Sequence, residues 1–225
     1  MNLKASLIFS AVSLSLLPLP SLAATAAPPT SSLSETLYDG LRASRLIDSH
    51  VFSREAAYLG RVHNLSIRDD GLIEALILER ERVGATGDAV FRVPWDRIAQ
   101  PIHPGVLIAD VKDTHAPELG LFPEPKPEGK DFLVSEVLAE YARLQAGQGY
   151  GYVKDAVFGS NGRLLAILIA RDVQAGGGTF AFAYPGRTGK WSPDMSYYGL
   201  PFITADQATK NGLRVAPEKF TAQDT

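Results

Sequence analysis

The strongest constraint on the fold is an internal duplication. Residues 60–79 align without a gap with residues 151–170, so the same pattern of glycines and apolar residues returns 91 positions later. The same offset relates four further identities: Arg80 to Arg171, Gly87 to Gly178, Phe91 to Phe182 and Pro94 to Pro185. Chance matches do not keep glycines, an aromatic residue and a proline in one register, so we interpret the chain as two copies of one unit.

Each copy has the pattern of short strands joined by tight turns. The dipeptide Asp70-Gly71 in the first copy and Asn161-Gly162 in the second are typical of hairpin turns. A short apolar segment follows each turn, and this arrangement predicts an antiparallel all-β fold. The residues predicted to be buried in these segments are Leu76, Leu78, Ile167 and Ile169.

The first residues have the features of an export signal. Lys4 precedes an apolar stretch over residues 5–22, and small residues follow in the pattern that signal peptidase recognises. We therefore expect residues 1–26 to be a signal peptide, cleaved after Ala23 or Ala26, and the mature protein to be periplasmic or secreted. A retained membrane anchor is the alternative, against which Pro18 and Pro20 argue.

The remaining chain divides by composition. We expect an N-terminal segment at residues 27–43, a first β domain at 44–110, a proline-rich linker at 111–130, a second β domain at 131–205 and a tail at 206–225. Helix-like apolar spacing over residues 33–43 and 133–145 predicts a short helix before each copy, with Ser34 and Ser135 as N-caps.

Charge and cysteine content exclude several classes of function. The chain has 22 Lys and Arg against 25 Asp and Glu, a net charge of −3, and loss of Lys4 with the leader would make the mature chain more acidic. A nucleic-acid partner is therefore not expected. The chain has no cysteine, which excludes disulfides, thiolate catalysis and cysteine-ligated metals. No segment after the leader is long and apolar enough to span a membrane.

Several short motifs in the first copy resemble the PRC-barrel family. They are residues 44–47, residues 59–62, the Asp-Gly turn with its apolar strand, and the closing residues 91–96. The second copy is similar at residues 149–155 and 162–170, but it departs from the family after Pro185. This small β-barrel occurs in the reaction-centre H subunit and in a ribosome maturation factor. The resemblance implies two small antiparallel barrels in tandem with short helices at their edges, acting as docking modules and not as catalysts.

Aromatic residues are concentrated near the end of the second copy. Residues 191–202 contain a density of large side chains that is unusual for a loop, and this predicts a partner-binding edge. The candidate partner-binding residues are Trp191, Tyr197, Tyr198 and Phe202. The alternative is that these side chains close the second barrel. Trp95, which follows Pro94, is predicted to be a core residue.

No other pattern predicts a catalytic, cofactor or metal site. The histidines lack metal-binding spacing, although His50 and His63 could meet across neighbouring strands. The sequence therefore predicts an exported, non-enzymatic protein that docks on an envelope protein or complex. A barrel that binds a small ligand or a metal, and an enzyme of unrecognised type, are the alternatives. The identity of the partner and the oligomeric state stay open.

Overall fold

The computed structural model describes residues 30–80, 89–111, 121–122, 131–184 and 195–223. The predicted signal peptide, part of the predicted linker and Trp191 lie outside these residues. The described residues form fourteen strands: β1 (Leu41–Arg42), β2 (His50–Ser53), β3 (Tyr58–Ile67), β4 (Ile73–Arg80), β5 (Ala89–Pro94), β6 (Val106–Ala109), β7 (Leu121–Phe122), β8 (Phe132–Leu133), β9 (Tyr141–Arg143), β10 (Gly149–Phe158), β11 (Leu164–Arg171), β12 (Thr179–Ala183), β13 (Tyr198–Gly199) and β14 (Leu213–Arg214). The α-helices are α1 (Thr30–Thr36), α2 (Ala43–Leu46) and α3 (Ala205–Asn211), and 3₁₀ helices include Trp95–Arg97, Val134–Glu136 and Pro217–Gln223.

The strands form two seven-stranded sheets with matching topology. The first sheet has the order β6-β2-β3-β4-β5-β7, with β8 beside β3, and the second has the order β13-β9-β10-β11-β12-β14, with β1 beside β10. In each sheet one edge strand runs parallel to its neighbour, and the other pairs are antiparallel. The described chain is thus mainly β. Neither sheet closes into a barrel within the described residues.

The two copies exchange a strand. β1 precedes the first copy but pairs with the second, where Leu41 lies opposite Phe158. β8 precedes the second copy but pairs with the first, where Phe132 lies opposite Ile67. The sheets therefore cut across the predicted domain boundaries. Strand β7, within the predicted linker, belongs to the first sheet, and β14, within the predicted tail, belongs to the second.

The copies also meet at their hairpin turns. The amide of Ile73 donates to the carbonyl of Gly162 over 2.9 Å, and the amide of Leu164 donates to the carbonyl of Gly71 over 2.7 Å. These two bonds join equivalent positions of the repeat. The pairing is reciprocal, as expected for an approximate two-fold axis between the copies.

The register of the last hairpin differs from the sequence alignment. Leu78 pairs with Phe91 in the first sheet, whereas the equivalent Ile169 pairs with Phe180 and not with Phe182. The ungapped match of Phe91 to Phe182 is therefore wrong, because the connection is two residues shorter in the second copy. Gly176, Gly177 and Gly178 all have positive φ there, which allows the chain to turn more tightly.

Only one of the two predicted helices forms, and it is displaced. α1 spans residues 30–36, so Ser34 lies inside the helix and is not its N-cap. The predicted helix over residues 133–145 is absent, and that segment forms β8, a 3₁₀ turn and β9. Ser135 lies inside the 3₁₀ helix and is not an N-cap, and its hydroxyl oxygen accepts a hydrogen bond from the Asn64 side chain over 2.7 Å. Pairing with the two sheets has overridden the local apolar spacing.

A single hydrophobic core extends through both copies. The predicted core residues Leu76, Leu78, Ile167 and Ile169 are all buried, and the prediction of Trp95 as a core residue is also confirmed. A second, smaller cluster covers the other face of the second sheet, where Leu37, which follows α1, and Phe220 near the C-terminus pack against Val157. This covering explains why the apolar strands of the second copy are buried on both faces.

Candidate functional site

A cleft of about 430 Å³ lies at the β13 edge of the second sheet. Six of the residues that line it are Arg143, Gln145, Gly147, Met195, Tyr197 and Leu200. The first three are exposed, so the cleft opens to solvent. Its volume is within the range of about 300–1,000 Å³ that is usual for ligand sites.

Backbone hydrogen bonds hold the two walls of the cleft together. β13 runs parallel to β9, and Gly199 lies opposite Arg143. The amide of Leu200 donates to the carbonyl of Arg143, and the amide of Gln145 donates to the carbonyl of Phe202, each over 2.8 Å. The residues on both walls are therefore placed by the sheet itself, which favours a preformed site.

A tight turn after β9 forms the rim. The amide of Gly147 donates to the carbonyl of Leu144 over 2.8 Å. Gly147 has a φ of +83°, and a Cβ added there would meet nothing within 4 Å. Gly147 therefore allows the positive φ that the turn requires, and it leaves the main chain beside the cleft exposed.

Among the described residues that line the cleft, Arg143 alone is charged. Its guanidinium carbon lies 5.1 Å from the centroid of the Tyr197 ring, a distance typical of a cation–π contact. No ion pair joins Arg143 to a carboxylate in the part of the chain that the structure describes. The cleft thus presents a guanidinium that lies over an aromatic ring and has no carboxylate partner among the described residues.

Aromatic side chains continue along the same face of the sheet. Tyr141 and Arg143 are two residues apart on β9 and so point to the same side. The ring centroids of Tyr141 and Tyr152 are 4.7 Å apart, and 52% of Tyr152 is exposed. The Tyr141 hydroxyl donates to Asp172 over 2.7 Å. This hydrogen bond is the main cause of a raised pKa of Tyr141, and burial is the second cause. Gly149 leaves room for this ring, since a Cβ there would lie 2.1 Å from its hydroxyl oxygen.

The structure places the three described candidates for partner binding in different surroundings. Tyr197 lines the cleft and is half-buried, but Tyr198 is 4% exposed and belongs to the core. Phe202 is half-buried and packs on Phe182 with ring centroids 5.8 Å apart. Trp191 lies outside the described residues. For Tyr198 the structure therefore corrects the expectation of a binding role, because a buried ring offers no contact area to a partner.

Sequence reasoning missed Arg143, Gln145 and Gly147. The duplication contained a usable signal, because its offset aligns Arg143 with Phe52 of the first copy. There, Phe52, Tyr58, Val106 and Ile108 form an apolar surface, with the rings of Phe52 and Tyr58 5.4 Å apart. A charged residue at an aligned apolar surface position indicates that the two copies present different chemistry.

The other polar residues considered, His50, His63 and Asp70, have surroundings that are typical of structural residues. His50 and His63 are both exposed, and the nearest ionic partner of His63 is Glu79, 3.6 Å from its Nδ1 atom. Among the described residues no three His, Cys, Asp or Glu side chains are grouped as metal ligands would be. Asp70 accepts from the amide of Leu72 within the first hairpin turn. Partial burial raises the pKa of Asp70, but hydrogen bonds from Arg68 and Leu72 outweigh it and leave this pKa below its ordinary value.

No protein-family model matches the chain, and no curated protein matches it in sequence. Within the described residues, the helices are too short or too polar to cross a bilayer.

Proposed function

We propose that this chain is an exported, non-enzymatic docking protein built from two PRC-barrel-like units, and that it contacts an envelope protein through the cleft at Arg143 and Tyr197. The export signal and the family resemblance of residues 44–47 and 91–96 support the first part of the proposal. The second part depends on the geometry of the second sheet.

The observation that carries the proposal is Arg143, which lies over Tyr197 in an open cleft and forms no ion pair with any described residue. Arginine and tyrosine are enriched at the points of protein interfaces that contribute most binding energy. Arg143 lies on β9, and Tyr197 directly precedes β13, which pairs with β9, so a partner would meet a surface that needs little ordering. The exposed Tyr152 extends the same face beyond the cleft.

A carrier of small ligands is the second candidate, and the cleft volume of about 430 Å³ favours it. The exposed rim argues for docking instead, because small-ligand sites usually bury most of the ligand surface.

Site-specific photo-cross-linking in the native host tests the docking function. A photoreactive phenylalanine analogue replaces Tyr197 in one variant and Val173, which is 88% exposed and does not line the cleft, in a control variant. We expect a discrete cross-linked protein from position 197 that is missing from position 173, identified by mass spectrometry. Identical products from both positions, or none from position 197, would refute docking at this cleft.

A further inference from the structure

We propose that the cleft recognises a carboxylate on an acidic peptide segment of the partner, and that Arg143 is the residue that selects it. This inference rests on the proposed docking function and adds the chemistry of the partner.

The first step concerns the direction of the guanidinium. The guanidinium carbon lies over the Tyr197 ring, 5.1 Å from its centroid, so the ring restricts the positions that the group can take. A guanidinium carries its N–H donors in one plane, in the arrangement of a fork. That fork matches the two oxygens of a carboxylate. The contact with the ring places the guanidinium in the cleft before a partner arrives, so a carboxylate contact costs less side-chain entropy.

The second step concerns the absence of a carboxylate near Arg143 among the described residues. The other described residues that line the cleft are uncharged, and no described carboxylate lies within ion-pair distance of Arg143. Asp172 lies on the same side of the sheet edge as Tyr141 and already accepts the hydroxyl of that residue. Because the whole chain is acidic, with a net charge of −3, long-range attraction does not draw an acidic partner to it. Recognition of an acid therefore depends on the local contact with Arg143.

The third step separates a carboxylate from a phosphate. Phosphate sites in proteins bring together several donors, such as a helix N-terminus, a series of backbone amides or more than one cation. The described lining of this cleft provides one guanidinium, which suits a single carboxylate. The flanking side chains of Met195, Tyr197 and Leu200 are apolar or aromatic and favour an apolar residue next to the acid.

The fourth step favours a peptide over a free carboxylic acid. The exposed side-chain amide of Gln145 and the main chain at Gly147, which no side chain covers, lie along the rim. There they can hydrogen-bond to a peptide backbone. An extended segment with one acid beside one apolar residue would use all of these groups together.

Titration of the full ¹⁵N-labelled mature chain, followed by NMR, tests the assignment. The probes are a five-residue peptide capped at both ends with one glutamate beside a phenylalanine, and the same peptide with glutamine in place of glutamate. We expect the first peptide to shift the amides of Gln145, Gly147 and Gly199, and to bind about tenfold more tightly than the second, as is usual for a charge-assisted hydrogen bond. Arg143→Gln should bring this ratio close to one.

The matched control is Arg214→Gln, which removes the same charge from exposed β14 at the opposite edge of the same sheet. It should leave the ratio unchanged. Unshifted amide resonances of β11 in both variants show that the fold is intact.

Four outcomes would overturn the inference. They are equal binding of the two peptides, an unchanged ratio in Arg143→Gln, displacement of the peptide by inorganic phosphate at comparable concentration, and binding of phenylacetate as tight as that of the peptide. If position 197 still cross-links to a partner while the peptides are not discriminated, docking stands and the carboxylate is wrong. If cross-linking fails while discrimination holds, the site chemistry stands and docking is wrong.

Discussion

Tyr197 and Tyr198 are neighbours in the chain but lie on opposite sides of the second sheet. Successive side chains of a strand alternate between faces, and β13 begins at Tyr198. Tyr198 therefore enters the core, where it is 4% exposed, while Tyr197 turns outward under Arg143. A strand of two residues has no readable periodicity, so the sequence could not tell the two tyrosines apart.

Replacing each tyrosine by alanine should separate these roles. Tyr198→Ala removes a buried ring and should lower the free energy of unfolding by about 3–5 kcal/mol, the usual cost of deleting a large aromatic side chain. Tyr197→Ala should cost less than about 1 kcal/mol, since the ring is half-buried in an open cleft. Urea denaturation of both variants measures the difference. Equal losses would show that both rings are structural.

Tyr198 should also limit stability at alkaline pH. Burial raises the pKa of its hydroxyl, and the neighbouring Tyr184 raises it further. A group whose pKa is raised on folding contributes stability below its unfolded-state pKa, here about 10, and loses that contribution as the pH rises toward the folded-state value. Stability should therefore fall above about pH 10, and the fall should be shallower in Tyr198→Phe. The pKa values of Tyr141 and Tyr150 are also raised, but both residues remain in the variant. Parallel pH profiles for the two proteins would contradict this assignment.

At the scale of elements, the two hairpin turns are held by an aromatic residue from the other copy. A Cβ at Gly71 would lie 3.0 Å from the Tyr184 ring, and a Cβ at Gly162 would lie 2.4 Å from Nε1 of Trp95. In the corrected register, Trp95 and Tyr184 are equivalent positions, each one residue beyond the closing strand pair. Each glycine thus provides both a positive φ and space for the opposite copy.

Gly162→Ala should therefore cost more than Gly147→Ala. Both glycines have positive φ, +78° and +83°, so the backbone strain of an added Cβ is similar. Only Gly162 also faces Trp95, and overpacking usually adds about 1–3 kcal/mol. Thermal or urea melts of the two variants give the comparison. The fluorescence of Trp95 should change in Gly162→Ala and stay the same in Gly147→Ala. Equal destabilisation would mean that the turn and the tryptophan do not pack together.

The central strands were predictable from sequence, and Leu76 provides the test. Its side chain is fully buried, and Leu76→Ala should lower the free energy of unfolding by about 2–5 kcal/mol. Val106→Ala, at a site on β6 that is 53% exposed, is the matched control and should change stability by less than about 0.5 kcal/mol. A denaturant melt of Leu76→Ala that overlays the control would place β4 outside the core.

What the sequence predicts and what it misses follow from the range of the interactions. The apolar runs around Leu76 and Ile167 and the turns at Gly71 and Gly162 are local signals, and the structure has strands and turns at these places. The 133–145 segment was misassigned because its helical spacing is weaker than its pairing with distant strands. Of the two central residues of the cleft, one was predicted from the sequence and the other was not. Tyr197 stands out by composition, but Arg143 joins it only through the parallel pairing of β13 with β9.

At the scale of the whole molecule, each copy depends on the other for a polar contact in its core. Asp155 is 1% exposed and accepts hydrogen bonds from the amide and hydroxyl of Ser44 and from Nε of Arg42, the last over 2.9 Å. At the equivalent place in the first copy, buried Asn64 bonds to Ser135. A buried carboxylate that loses its partners strongly destabilises a protein. Each copy therefore needs the segment that precedes the other copy to complete the hydrogen bonds of its buried polar side chain.

Dividing the chain between residues 123 and 130 should therefore produce two halves that fold only together. The cut leaves β7 in the first half and β8 in the second, so every strand exchange must form between separate chains. Each half alone should show the poorly dispersed NMR spectrum of an unfolded or self-associated chain, and an equimolar mixture should regain the dispersed spectrum of the intact protein. Asp155→Ala in the second half should prevent reassembly, because the contact with Ser44 and Arg42 is lost, whereas Asp206→Ala on the exposed face of α3 should not. Halves that fold as independent monomers with native-like spectra would show that the strand exchange is dispensable and that the two sheets are separate domains.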